Sequence, residues 1–259
     1  MKHIVITGGT RGIGLGLTKE FLKQDCKVTF CGTSSKTVKK ALLDLNNKNC
    51  KGFICDVSSY NDIEKFCKNS VEWGGEIDIW INNAGINQPY CSPWLISENA
   101  INNIFSININ GVVFGTQIAY NYMVKQRYGQ IFNMEGFGSD GRFGDNMTLY
   151  GTSKRAIRYY TKSFAKENKN NRIVIGTISP GMVLTDFFDF KQNIDPDEFQ
   201  RIIKIYNILA DKVETVAPFL VHKMLLKNKN GVHYAWLTNK KVIWRFLLSL
   251  FKKRDLFND

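Results

Sequence analysis

Tyr150 and Lys154 stand four residues apart in Tyr-Gly-Thr-Ser-Lys, a spacing that puts both side chains on one face of a helix. An ammonium held beside a phenol favours the phenolate, so this phenol is expected to titrate below its ordinary value of about 10. A phenol tuned in that way can give a proton to a carbonyl oxygen as hydride reaches the carbon. Far upstream, Thr7-Gly8-Gly9-Thr10-Arg11-Gly12-Ile13-Gly14 offers the other half of such chemistry. Glycines at 8, 12 and 14 permit a tight turn, close approach of a pyrophosphate and packing of the next helix on a sheet. The N-terminus of that helix presents unpaired N–H groups to phosphates. Each signal alone is weak; in this order the two point to hydride transfer between a nicotinamide dinucleotide and a carbonyl.

The elements that must position these groups follow from the apolar pattern. Residues 3–7 read as a short buried strand, and Ile13, Leu17, Phe21 and Leu22 give the next segment helical periodicity. Residues 27–31 form a second strand that runs into Gly32-Thr33-Ser34-Ser35-Lys36. A site built for NAD places an acid here to hold the adenosine ribose. This chain instead has the hydroxyls of Thr33 and Ser34, a cation at Lys36, and Arg11 inside the glycine turn. That set suits a 2′-phosphate, so NADPH is the expected cofactor, with NADH the alternative and Arg11 the preferred phosphate ligand. A third strand at 52–55 ends at Asp56-Val57, where Asp56 would meet an adenine amino group or cap the helix starting near Tyr60. The fourth, 77–81, runs into Asn82-Asn83-Ala84-Gly85, whose amides would tie strand ends together and whose small residue would lie against the adenosine ribose. A long helix over 102–125 carries Asn108 and Asn110. A strand at 130–134, the helix at 149–168 and a strand at 172–178 follow. The last of these leads into Ser179-Pro180-Gly181-Met182-Val183-Leu184-Thr185, and a seventh strand is expected at 231–237. The alternation predicts an α/β fold, a doubly wound parallel seven-stranded sheet of Rossmann type with helices on both faces, binding ligands at the carboxyl ends of its strands.

Composition narrows the classes. No Pro-, Gly- or Ser-rich linker divides the 259 residues, so residues 1–239 are read as one domain followed by a tail at 240–259. The six cysteines show no metal-site spacing and no disulfide framework of a small secreted domain, and read as reduced thiols in a cytosol-like compartment. The first strand starts at residue 3, which leaves no room for a leader. No uncharged apolar run approaches the ~18 residues of a membrane span. A net charge of +12 and a pI near 9.4 suit an anionic partner. Without a recognition motif that partner is read as a phosphate-bearing cofactor or a membrane surface rather than nucleic acid. His3, His222 and His233 are scattered, and no metal is expected.

The glycine turn, Asn82-Asn83-Ala84-Gly85, the Tyr/Lys pair and Pro180-Gly181 with Thr185 together resemble the short-chain dehydrogenases/reductases over residues 3 to about 237. The resemblance implies that Tyr150 is the general acid and that Lys154 lowers its pKa while bonding the nicotinamide ribose. It implies that Asn108 holds a water joining Lys154 to solvent, and that Val183 and Thr185 bind the carboxamide. One part departs from the family pattern. The serine that holds the substrate oxygen usually stands 13 or 14 residues before the tyrosine; here those positions are Phe137 and Gly136, and Ser139 is the nearest hydroxyl. Loss of such a donor costs about 2.7–4 kcal/mol by analogy with an oxyanion hole, severe for a ketone and more tolerable for a reactive aldehyde. Asn-Met-Glu-Gly-x-Gly-Ser-Asp-Gly-Arg at 133–142 and the stretch Ser-Pro-Gly-Met-Val-x-Thr-Asp at 179–186 sharpen the resemblance to the chlorophyll(ide) b reductases, the non-yellow-colouring-like branch. The substrate so implied is chlorophyll b or chlorophyllide b, whose 7-formyl group would become hydroxymethyl. Phe187, Phe188, Phe190, Phe199 and Tyr206, on two lid helices broken near Pro196, would wall a flat macrocycle. Another apolar carbonyl, fatty-acyl or isoprenoid, is the alternative substrate, and a weakly catalytic cofactor-binding scaffold is the alternative class.

Residues 240–254 place Val-Ile-Trp-Arg-Phe-Leu-Leu-Ser-Leu-Phe between Lys240-Lys241 and Lys252-Lys253-Arg254. Too short to span a bilayer, the stretch suits an interfacial position with cations toward anionic headgroups. Packing on its own domain, or in a homodimer or homotetramer interface, is the competing expectation. The implied location is cytoplasmic or peripheral to a photosynthetic membrane.

Overall fold

The computed structural model describes residues 1–169, 172–185 and 195–257. The first half alternates β1 (His3–Ile6), α1 (Gly12–Lys23), β2 (Lys27–Gly32), α2 (Ser35–Leu45), β3 (Cys50–Ile54), α3 (Tyr60–Gly74) and β4 (Ile79–Asn82). Strands β1 and β4 are buried at every position, the continuous apolar run expected of strands covered on both faces. Hydroxyl caps start four of the described helices: Ser34 accepts from Thr37 N, Ser59 from Asp62 N, Ser97 from Ala100 N and Thr238 from Lys241 N, each contributing about 1 kcal/mol.

The expected single helix over 102–125 is three pieces: α4 (Glu98–Phe105), a π turn (Ser106–Asn110) and α5 (Gly111–Gln126). The π turn inserts a residue into the helical repeat, a distortion frequent at functional sites, and buries Asn108 while Asn110 stays exposed. Then come β5 (Gly129–Met134), α6 (Thr148–Glu167), β6 (Ile173–Ser179), β7 (Val183–Leu184), α7 (Pro196–Leu209), β8 (Asp211–Lys212), α8 (Val213–Leu225), β9 (His233–Ala235) and α9 (Asn239–Ser249). Of the two lid helices expected on either side of Pro196, the second is α7, and the first lies outside the described residues; Pro196 opens α7. It occupies the first turn of α7 behind an Asp195 cap, where its missing N–H costs nothing.

Seven strands pair in parallel in the order β3-β2-β1-β4-β5-β6-β9. A separate ladder joins β7 to β8. One apolar core packs Leu17, Phe21, Val216, Leu220 and Met224 of α1 and α8 under the sheet. The other packs Ile63, Phe66, Ile118, Met123 and Ala165 of α3, α5 and α6 above it. Between β1 and β4 the strand order reverses, which opens a crevice at the carboxyl ends of the strands.

Candidate active site

The crevice is a cleft of about 580 Å³, within the usual range for small-molecule sites. Gly8, Thr10, Arg11, Gly12, Ile13 and Gly14 form its floor. Gly8 and Gly12 have φ of +67° and +54°, where a side chain would be strained. A Cβ on Gly8 would come within 2.8 Å of the Ala84 backbone, and one on Gly14 within 2.5 Å of Asn83 Nδ2. Arg11 sits at the N-cap of α1 without a capping side chain, and the first turn holds no acid, which leaves a positive helix end open to an anion.

Thr7, not anticipated from sequence, locks this floor to the next strand. Its hydroxyl accepts from Asn83 N at 3.0 Å and from Ala84 N at 3.1 Å. Asn83 Nδ2 returns bonds to the carbonyls of Thr7 and Gly8 at 2.9 and 3.0 Å. Among the described residues Asn83 Oδ1 is buried without a hydrogen-bond partner, an acceptor that a ligand donor could satisfy. Asn82 runs the other way, bonding Asn133 at 2.8 Å and Thr116 at 3.1 Å.

At the outer end Thr33, Asp56 and Val57 line the cleft with Arg11. Ser34 and Lys36 are absent from that lining. The Ser34 hydroxyl is occupied as the cap of α2, bonded to Thr37 Oγ1 at 2.9 Å, so its expected contact with a phosphate is not supported by its placement. Asp56 is not a helix cap: Ser59 fills that role, and Asp56 Oδ1 accepts from Ser58 N and Oγ at 2.9 and 2.7 Å.

At the inner end α6 buries Tyr150 and Lys154 side by side, with Lys154 Nζ 5.6 Å from the phenol ring centroid. Lys154 donates to the Met134 carbonyl at 3.3 Å. The expected lowering of the phenol is reversed. Burial pushes Tyr150 above its ordinary value and brings Lys154 down to about 8, against a pull upward from Glu135. Both groups lie fully inside protein, so each resists its charged form.

The helix is set by residues outside the Tyr/Lys motif. Gln88 Oε1 accepts from Tyr150 N at 2.9 Å, which satisfies a first-turn N–H. Asn108 Nδ2 donates to Ile86 O at 2.9 Å and Ser153 Oγ at 3.1 Å, while its Oδ1 accepts from Ile86 N at 2.8 Å. Gly85 lies between them: a Cβ there would meet Asn108 Oδ1 at 3.2 Å and Lys154 Nζ at 3.4 Å. Gln88 carried no sequence signal beyond its place after Asn-Asn-Ala-Gly.

Gly136 is a tight point beside the Tyr/Lys pair. A Cβ on it would overlap the Tyr150 hydroxyl and come within 3.0 Å of Cζ and 3.2 Å of Lys154 Cγ. Phe137 lines the cleft, but Ser139 is turned away. Ser139 is buried, its hydroxyl donates to Glu135 Oε2 at 2.9 Å, and its carbonyl accepts from Arg155 at 3.0 Å. The suggestion that Ser139 replaces the missing serine is therefore not met, because a buried carboxylate holds it. Glu135 in turn pairs with Arg158 at 3.4 Å and His233 at 3.5 Å.

Pro180, Gly181, Met182, Val183 and Thr185 line the opposite wall, so the residues assigned to a carboxamide stand across from the Tyr/Lys corner. Phe187 and Phe188, with Phe190, lie outside the described residues. Phe199 does not reach the cleft. Of the expected wall residues Tyr206 lines the cleft, with Tyr90, Met147, Ile202, Ile205 and Leu209 beside it, four of these six on one face of α7.

The short chain dehydrogenase family model matches residues 2–195. Chlorophyll(ide) b reductase NOL of Oryza sativa subsp. japonica is 36% identical over 85% of this chain and 65% of its own length. Probable chlorophyll(ide) b reductase NYC1 of Arabidopsis thaliana is 31% identical over the whole chain and 55% of its own length. The chain thus spans only about half to two thirds of these relatives. Among solved structures, ElxO with NADP bound superposes with a TM-score of 0.78 at 26% identity, covering 90% of this chain and 96% of that one.

Proposed function

Because the chain belongs to the short-chain dehydrogenase family, an NAD(P)-dependent oxidoreductase fold, we propose that it uses NADPH to reduce the 7-formyl group of a chlorophyll b-type pigment to hydroxymethyl. The observation that carries this reading is the Gly136 corner. The usual serine cannot stand there without displacing the Tyr150 hydroxyl, so the site favours a carbonyl electrophilic enough to react without it, as a conjugated aldehyde is. The chlorophyll(ide) b reductase relatives support the same substrate class, and so does the apolar wall facing Tyr150.

The residues present fit the cofactor. Gly8 to Gly14 leave a cradle that side chains would fill, Asn83 Oδ1 is an acceptor in need of a donor, and Arg11 adds a cation beside Thr33 for a 2′-phosphate. NADPH, when bound, supplies the hydride. Tyr150 keeps its proton through the neutral range because burial raises its pKa, and releases it to the carbonyl oxygen as negative charge develops there. Lys154, a cation below about 8, stabilises the phenolate left behind. Asn108 holds the π turn against Ile86 and Ser153. In this reading it keeps a water path from Lys154 to solvent for reprotonation.

The test is direct. Incubation with chlorophyllide b and NADPH should consume the 7-formyl pigment and yield the 7-hydroxymethyl product, read by absorption and mass. Reduction of fatty-acyl or isoprenoid aldehydes without turnover of the pigment would transfer the assignment to another apolar carbonyl. No turnover on either panel would leave a cofactor-binding scaffold.

Contact with an anionic membrane surface belongs to the same reading. Among the described residues no helix is long and apolar enough to cross a membrane. Helix α9 nevertheless exposes Ile243, Trp244, Phe246, Leu247 and Leu248, followed by Leu250 and Phe251, with Lys240 in its first turn and Lys252-Lys253 after it. Each of those cations could add about 1 kcal/mol near anionic headgroups. Trp244→Glu/Phe251→Glu should abolish sedimentation with anionic vesicles while the protein keeps its size on a sizing column. A change of size instead would identify the face as an interface between copies of the chain.

A further inference from the structure

Helix α6 begins without a cap of its own. Met147 stands at its N-cap with no side-chain bond, and its first turn holds no acid. The helical ladder starts with Gly151 N on Met147 O at 2.8 Å, so Tyr150 N is the last of the first-turn N–H groups that must find an acceptor elsewhere. That acceptor is Gln88 Oε1 at 2.9 Å, from 62 residues away. We propose that Gln88 is a positioning residue, whose side-chain carbonyl holds the Tyr150 phenol in place for proton transfer; the inference rests on the carbonyl reductase reading above.

Three observations carry it. The main chain of Tyr150 is held at both its N–H and its carbonyl by one closed circuit. Ser153 Oγ donates to Tyr150 O at 2.7 Å and accepts from Asn108 Nδ2 at 3.1 Å. Asn108 in turn grips Ile86 at its N–H and its carbonyl, at 2.8 and 2.9 Å, and two residues on Gln88 closes the ring at Tyr150 N. The second observation is the orientation of the Gln88 amide. Gln88 is only 5% exposed, and among the described residues its Nε2 has no hydrogen-bond partner. Turning the amide over would set its NH2 group against the Tyr150 N–H, donor facing donor. The carbonyl therefore points at Tyr150 and the buried Nε2 is left unpaired, a cost that the acceptor offsets. Gln88 does not line the cleft, so the amide acts on Tyr150 and not on a substrate. The third is how little room the phenol has. A Cβ on Gly136 would overlap the Tyr150 hydroxyl, so a first turn that drifts carries that hydroxyl against Gly136 or away from the carbonyl it serves. Misplacing a reacting group by about 1 Å costs roughly a hundredfold in rate.

The experiment is a double-mutant cycle between Gln88 and Tyr150, read on chlorophyllide b and on 4-nitrobenzaldehyde with NADPH. Gln88→Met keeps the length of the side chain and removes the acceptor. It should lower kcat by roughly 10–100-fold and leave NADPH affinity unchanged. In the Tyr150→Phe background the same change should have almost no further effect, because the group it positions is already gone. A merely structural loss would multiply through in both backgrounds, so equal fold-losses would overturn the proposal. So would a kcat for Gln88→Met within about threefold of the unmodified protein. Gln88→Glu retains an acceptor, at a helix N-terminus that suits a carboxylate, and should restore kcat to within about fivefold; a loss as large as that of Gln88→Met would also overturn it. Should Gln88→Met fail to fold, Gln88→Ala, whose vacated space admits a water to the Tyr150 N–H, takes its place in the cycle with the same outcomes. If 4-nitrobenzaldehyde is reduced and chlorophyllide b is not, the substrate assignment fails while the cycle is still read on the aldehyde. If the unmodified protein reduces neither, the Gln88 proposal falls together with the reductase reading.

Discussion

At Tyr150, burial raises the phenol, so the proton is retained through the neutral range. Tyr150→Phe should lower turnover by roughly 10²–10⁴-fold while NADPH affinity, measured by fluorescence titration, stays intact. The alkaline limb of kcat/KM should then belong to Lys154, whose folded pKa of about 8 lies well below that of Tyr150. Activity should be full below that value and fall as Lys154 loses its proton above it. Glu135 raises the Lys154 pKa, so Glu135→Gln should move the limb to lower pH in a full pH profile; a limb that stays in place would exclude the coupling. Gly136→Ser should reduce turnover of the pigment, because its Cβ must displace the Tyr150 hydroxyl. A gain would mean the serine gap is not what shapes the site. Types and spacings of the Tyr/Lys pair and glycine turn were legible in the sequence because they repeat the local geometry of a helix and a turn. Gln88 and the trapping of Ser139 were not, since each depends on residues brought together from distant segments.

At the scale of elements, the sequence pattern located the seven main strands within about two residues and missed what was too short or too irregular to have a period. The Val183–Leu184 and Asp211–Lys212 ladder is two residues long, below any alternation signal. The π turn at 106–110 was read through as helix because apolar residues continue on both sides of it. The seventh strand shrinks from the expected 231–237 to three residues, as Gly231 turns at φ +79° and only His233–Ala235 pair with β6. The tail shows a mixed outcome. One side of α9 and the residues after it clamp the end of α7: Asp211 receives Arg245 at 2.7 Å, Arg254 at 3.1 Å and Trp236 Nε1 at 2.5 Å, and Leu256 is buried. The other side is the exposed apolar face. Removing the whole tail would therefore disturb α7 as well as any surface contact, which is why point changes at Trp244 and Phe251 are the cleaner probe. Asp211→Ala leaves two guanidinium groups without their carboxylate. It should destabilise by about 3 kcal/mol, the low end for a broken buried pair, because Arg254 keeps a third of its side chain in water. In a chain of this size that is a fall of roughly 6–12 °C in Tm. Unchanged melting would mean that the clamp contributes little.

Over the whole molecule, the doubly wound sheet gathers the carboxyl ends of its strands at one crevice, so groups from residue 8 to residue 209 line one cleft. That convergence ties global stability to the cofactor. A ligand that binds only the folded chain stabilises it by RT ln(1 + [L]/Kd), about 2.7 kcal/mol at a hundredfold excess over Kd, which corresponds to roughly 5–10 °C in Tm. The charge of +12 favours any anion, so thermal shift alone does not separate specific recognition from general attraction. Arg11 separates them. It lines the cleft beside Thr33, at the open N-terminus of α1 and with no acid in that first turn, whereas Lys36 stays off the cleft wall. A charge-assisted bond to a 2′-phosphate is worth about 1.5–3 kcal/mol. At equal concentration NADPH should therefore raise Tm more than NADH. Arg11→Ala should reduce the NADPH affinity by roughly 10–100-fold and leave NADH almost unchanged, so the two cofactors converge. Lys36→Ala removes the same charge from the molecule and should leave the difference between cofactors in place. Equal shifts for the two cofactors in the unmodified protein would show that no group in the cleft reads the phosphate, and convergence in Lys36→Ala as well would assign the preference to net charge rather than to the glycine turn.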